Sequence, residues 1–164
     1  MNLTQEIFNI YDISQHAGPD ANDIKSLLIA SIALVRTKQQ TTKRAKIASI
    51  ASHSTAILNG VFGINYTYRS DSKIFLFLWY LPAMLFFAKR GFDANSATNI
   101  LRSELDDTIQ QHQKLKNLIR NASHVQTHNI AKTYRNEIQD ITNDTITPDQ
   151  ISQTIHHILM KYER

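Results

Sequence analysis

Residues Ile74 to Ala88 read I-F-L-F-L-W-Y-L-P-A-M-L-F-F-A, fifteen in a row without a charge or a side-chain amide. Lys73 precedes them and Lys89 and Arg90 follow, and the stretch holds the sole Trp, Trp79, with four of the seven Phe. As one continuous helix it rises about 22 Å, short of a hydrocarbon layer of about 30 Å. Pro82 in its middle removes a backbone donor and disfavours helical geometry at Leu81, which predicts two parts. Pro82 suits the first turn of a helix that stops at Lys89-Arg90-Gly91, where cations meet the negative end of the dipole. The half before it, Ile74 to Leu81, is an apolar run that periodicity assigns to neither strand nor helix. Read alone, the stretch is expected to be a central core element wrapped by amphipathic helices, with membrane insertion ranked well below that.

The neighbours are read outward from it. Ile64 to Arg69 alternates apolar and polar residues in the manner of a strand. If Ile74 to Leu81 were also extended, 64–81 would form a small hairpin and the fold would be α+β. From Ala21 to Asn59 there is neither Gly nor Pro, and Ile24, Leu27, Leu28, Ser31, Leu34 and Val35 form an inward stripe at helical spacing. Ile47, Ile50, Ala51, Ser54, Ile57, Leu58 and Val61 continue the period. A turn near Gln39 to Thr42 is expected to divide the region into two helices, with Gly60 and Gly63 ending the second.

The flanks are helical too. A capping-box pattern at Asn2 and Gln5 opens a first helix that runs to about Gln15, and Gly18-Pro19 breaks it. Ala97, Leu101, Leu105, Thr108, His112, Leu115, Ile119 and Ala122 make a heptad-like seam, with a break expected near Asn121 to His124. Thr147-Pro148-Asp149-Gln150 combines an N-cap, a first-turn Pro and a capping-box partner, and Ile151, Ile155, Ile158, Leu159 and Tyr162 then share a face. The expected fold is therefore mainly α, a single domain over 1–164 of six or seven helices around the central hydrophobic segment.

At 164 residues the chain buries a core without staples. It contains no Cys, which excludes a disulfide framework, a thiolate zinc site and a cysteine nucleophile. The opening M-N-L-T-Q-E-I-F-N-I has no secretory-signal pattern, so a cytoplasmic protein is expected. No Gly-rich phosphate loop, G-x-S-x-G, H-E-x-x-H or C-x-x-C is present, and no Glu has a His three residues later, as di-metal bundles require. No catalytic residue, cofactor or metal is predicted. His124 and His128 share a helical face, but two ligands do not make a site. His112 and Thr108, polar positions in an apolar seam, are read as fixing register.

Charge is the clearest functional signal. Between Ile24 and Ser70 lie seven basic residues and no acid, and five of them, Arg36, Lys38, Lys43, Arg44 and Lys46, crowd together. They are candidate contacts for an anion or a partner. Phe75, Trp79, Tyr80 and Phe86 are candidates for an apolar ligand pocket. By elimination the expected function is a non-enzymatic protein-interaction module, an adaptor or subunit, with a protein partner or self-association. The alternative is sequence-nonspecific binding of nucleic acid or another polyanion through 36–46, and hydrophobic small-ligand binding comes third.

Overall fold

A computed structural model describes residues 3–69 and 73–163, with backbone alone at 3, 4, 65–69, 73–77 and 79. Among the described residues six α-helices and one 3-10 turn follow one another: α1 (Leu3–Gln15), the 3-10 turn (Gly18–Asp20), α2 (Ala21–Arg69), α3 (Lys73–Asn121), α4 (His124–Thr133), α5 (Arg135–Thr142) and α6 (Pro148–Tyr162). The protein is mainly α, as the periodicity predicts, and no strand occurs among the described residues. The small hairpin at 64–81 is therefore not formed: Ile64 to Arg69 ends α2 and Ile74 to Leu81 lies in α3.

The chain divides into two compact units, one of residues 1–38 with 105–164 and one of residues 39–104. The first unit holds the hydrophobic core. Ile10 and Ile13 of α1, Ile24, Leu27, Leu28 and Ile32 of α2, Leu115 and Ile119 of α3, Ile130 of α4, and Ile155, Ile158 and Leu159 of α6 form one buried cluster. The predicted stripes of early α2 and of α6 face it. Each fully buried Leu or Ile contributes about 1.5–3 kcal/mol.

Local chemistry sets the boundaries of this unit. Gly18 turns at φ +62°, a left-handed conformation that separates α1 from the next helix. Thr147 accepts from the Gln150 backbone N–H, while the Gln150 side chain accepts from the Thr147 N–H. Ser123 and Gln126 repeat this reciprocal cap at the start of α4, at the break expected near Asn121 to His124.

The second unit corrects four expectations. α2 runs unbroken through Gln39 to Thr42, where no Gly, Pro or C-cap residue stops it, and Thr42 Oγ1 donates to the Leu101 carbonyl at 3.3 Å. Gly60 and Gly63 do not end α2, and Gly91 does not end α3. They are places of close approach. A Cβ built on Gly63 would lie 2.9 Å from Cβ of Tyr80, and one on Gly91 would lie 2.7 Å from the His53 ring. Pro82 does not divide α3. A proline inside a helix costs about 3 kcal/mol or more, yet α3 continues through this one from Lys73 to Asn121. Together with Gly60 near Met84 and Ser49 Oγ donating to the Gly91 carbonyl at 3.3 Å, these contacts pair late α2 and early α3 antiparallel.

Of the hydrophobic stretch, the described side chains lie outside the core: Leu78 is 62% exposed and Phe86 59%, and none of those described in 74–88 belongs to the buried cluster.

Candidate functional site

Apolar residues in the second unit are placed inside out. The seam between the two helices consists of small residues: Ser49, Ala56 and Gly63 are the buried positions of α2, spaced by sevens, and Gly91 and Thr98 those of α3. The large side chains point away. Ile57, Leu58, Val61, Phe62 and Ile64 of α2, and Leu78, Leu85, Phe86 and Phe92 of α3, are each between 51% and 70% exposed. The second half of the stripe predicted on α2 is thus the outer face, because Ile47, Ile50, Ile57, Leu58 and Val61 all lie there. A water-soluble helix pair places its large apolar side chains in the seam and polar ones outside. Small residues in the seam and large ones outside are the arrangement of helices packed in lipid.

Length and charge follow the same division. From Ile47 to Tyr68 no Asp, Glu, Lys or Arg interrupts α2, a rise of about 33 Å. One helix among the described residues is long and apolar enough to cross a membrane. Its best window, of mean hydropathy 1.3, is only 17% buried, whereas a soluble core helix with that composition is mostly buried. α3 contributes 74–88, with Lys73, Lys89 and Arg90 at its ends, long side chains that can reach an interface. Residues 39–104 carry eight Lys or Arg and three Asp or Glu, a net +5, and the remaining residues carry ten and eleven, a net −1. All of the chain's net positive charge lies in this unit.

The five predicted basic residues all lie on α2. Lys43, Arg44 and Lys46 are exposed together on α2 in the second unit. Arg36 is exposed and Lys38 half-buried in the first. Lys89 and Arg90, which the sequence reading did not place with them, are exposed on α3 beside Gly91. Gly91 packs on His53, seven residues or about 10 Å along the axis from Lys46. Of the residues predicted for a pocket, the two whose side chains are described, Tyr80 and Phe86, do not line the same recess. Phe86 is on the outer face against Phe87, the side chains of Phe75 and Trp79 lie outside the described residues, and Tyr80 packs on Gly63. Tyr80 also lines a shallow apolar recess of about 150 Å³ with Gly60, Ile64, Leu81 and Met84.

The first unit contains one buried polar cluster. His112, 2% exposed, places Nδ1 2.7 Å from Ser31 Oγ and Nε2 3.3 Å from Glu6 Oε1. Lys116 Nζ donates to the same Glu6 oxygen at 2.6 Å. Burial pushes the imidazole below its ordinary value of 6.5, against the pull of Glu6. Burial raises the Glu6 carboxyl, but Lys116 and His112 together outweigh it and hold the group below 4.5. A carboxylate only accepts, so the neutral ring carries its proton on Nε2 and accepts at Nδ1 from Ser31. The Ser31 hydroxyl has one proton and two acceptors in reach, Nδ1 and the Leu28 carbonyl at 2.7 Å. The cluster ties α1 to α2 and α3 at one register, the role the seam position of His112 suggests.

His128 Nδ1 lies 3.0 Å from Asp20 Oδ2, and no group of three metal-ligating side chains occurs among the described residues. The chain matches no protein-family model, no curated protein and no solved structure.

Proposed function

We propose that the chain is a non-enzymatic, membrane-anchored interaction module. The helix pair of residues 47–90 inserts into a bilayer, and the unit formed by 1–38 and 105–164 stays in water as the part that meets partners. One observation carries this reading: the pair buries its small residues and exposes its large apolar ones on the sides facing away from the seam. Moving about a dozen half-exposed large side chains out of water is worth on the order of 10 kcal/mol. A single protein partner covers one face of a helix pair; lipid covers every side.

Charge gives the insertion a direction. Eight Lys or Arg, from Arg36 to Lys46 and from Lys89 to Arg102, flank the ends of the pair that lead to the rest of the chain, against Arg69 and Lys73 at the connection. The excess of basic residues marks the cytoplasmic side, so both chain ends and the 1–38 and 105–164 unit belong to the cytoplasm. The polyanion met by Lys43, Arg44 and Lys46 is then the anionic headgroup layer, where each cation contributes about 1 kcal/mol.

Because the chain has no Cys, single cysteines test this directly. Ile57→Cys, Phe86→Cys and Gln139→Cys variants are mixed with phosphatidylcholine vesicles, with and without phosphatidylglycerol, floated, and treated with a membrane-impermeant maleimide. The expected result is flotation favoured by phosphatidylglycerol, with Ile57→Cys and Phe86→Cys protected and Gln139→Cys labelled. Protein that remains in the dense fraction with all three sites labelled would overturn the proposal.

A further inference from the structure

Within the described part of the apolar span of α2 the single side-chain amide is left incomplete. Asn59 is half-buried at the flank of the seam, and its Nδ2 donates to the Thr55 carbonyl at 2.9 Å. Its second N–H and its Oδ1 find no partner among the described residues. Asn59 stands thirteen residues from Lys46 and ten from Arg69, about 20 and 15 Å along the axis. On the membrane reading, on which this inference rests, both distances put it well inside hydrocarbon, where an unpaired amide is costly.

The neighbours on that flank, one and two turns away, are Thr55 and Ser52, both half-buried. Thr55 Oγ1 is spent on the Ala51 carbonyl at 2.9 Å. The flank is therefore small and permits close approach of another helix, and Asn59 supplies its hydrogen-bonding group. After the Thr55 bond the amide retains one donor and one acceptor. That combination is self-complementary about a two-fold axis: each amide donates to the other, and neither is left over. We infer that in the bilayer two copies of this chain pair through the Ser52–Asn59 flank of α2, Asn59 against Asn59. The large apolar residues on the opposite side, Ile57 among them, remain toward lipid.

Ser52→Cys, on the pairing flank, and Ile57→Cys, on the opposite face, are each reconstituted into phosphatidylcholine/phosphatidylglycerol vesicles and oxidised with copper phenanthroline across a range of protein-to-lipid ratios. Ser52→Cys is expected to form the disulfide-linked dimer and Ile57→Cys to stay monomeric. Adding Asn59→Leu to Ser52→Cys should raise the protein density needed for half-maximal crosslinking about 3- to 30-fold, the range for one or two interhelical hydrogen bonds in lipid. The pairing is overturned by equal crosslinking at the two sites, by none at Ser52→Cys, or by a half-point that Asn59→Leu leaves in place. Flotation of the same samples separates the two readings. Protein that floats but does not crosslink refutes the pair alone, and protein that does not float refutes the anchoring beneath it.

Discussion

Replacing Ile57 by Asp discriminates between lipid and water around the helix pair. Ile57 lies eleven residues after Lys46 and twelve before Arg69, about 17 and 18 Å along the axis, near the middle of a layer about 30 Å thick. It is 67% exposed and points away from α3, so no protein group shelters a charge placed there. On insertion scales, exchanging Ile for Asp at a helix centre costs about 3–4 kcal/mol. The vesicle partition coefficient should therefore fall about 100- to 1000-fold. In water the same exchange at an exposed aliphatic position changes stability by within about 0.5 kcal/mol, and it makes the protein more soluble. Lipid titration with flotation as the readout measures the coefficient, with Ile57→Leu as the neutral control and a urea melt to confirm that the core unit is folded. A partition coefficient that Ile57→Asp leaves unchanged, or raises, refutes the placement of this face in lipid.

Gly63→Val should separate the paired helices, because the new Cβ meets the Tyr80 Cβ at 2.9 Å and Cγ at 3.3 Å; a loss of about 1–3 kcal/mol is expected, read as faster amide exchange over 56–64 in vesicles. Leu115→Ala removes a fully buried side chain of the core cluster and should lower the urea stability of that unit by about 2–5 kcal/mol. Acid should weaken the same unit in two stages. His112, lowered from 6.5, binds fewer protons folded than unfolded, so stability present above 6.5 declines as pH falls through the folded value; Glu6, lowered from 4.5, adds a second loss as pH falls further. His112→Gln should remove the first stage and leave the fall with acid below 4.5, as urea melts at a series of pH values would show. Thr147→Ala deletes the side-chain acceptor for the Gln150 N–H and should cost about 1 kcal/mol, measured in the same melts.

Where a signal was local and satisfied locally, the sequence was a sufficient guide. Thr147, Pro148 and Gln150 start α6 by bonding one another, and Gly18 breaks the chain because a left-handed residue is needed there. The stripe Ile24, Leu27, Leu28, Ser31, Leu34, Val35 is buried in full. Gly60, Gly63, Gly91 and Pro82 misled because their penalties, about 1 kcal/mol per Gly and 3 for Pro, are real but small beside the packing that spans them. Their partners, Met84, Tyr80 and His53, are distant in sequence, so no local pattern reveals that the glycines admit a neighbour. Periodicity likewise identifies one face of late α2 as apolar without saying what it faces. Ile47 to Val61 repeats as regularly as Ile24 to Val35, yet one set is outside and the other in the core. What distinguishes them is the small heptad Ser49, Ala56, Gly63, which supplies the seam instead. The buried Glu6, unlike His112, gave no sequence signal, since its partners lie more than a hundred positions away.

Only residues 70–72 lie between the end of α2 and the start of α3, and this has a consequence for synthesis. At about 5–20 residues per second, the span of α2 is out of the ribosome seconds before that of α3 follows it, whereas helices form in about a microsecond. α2 therefore waits as a finished helix with its small seam uncovered. Its interspersed Ser, Thr, His and Asn make that wait tolerable in an aqueous or interfacial setting. The far more apolar 74–88 segment then emerges beside it, and on the anchored reading three intervening residues are too few for either helix to enter a bilayer alone. The two are expected to be delivered as one folded pair, with the second helix supplying the drive and the first the docking surface.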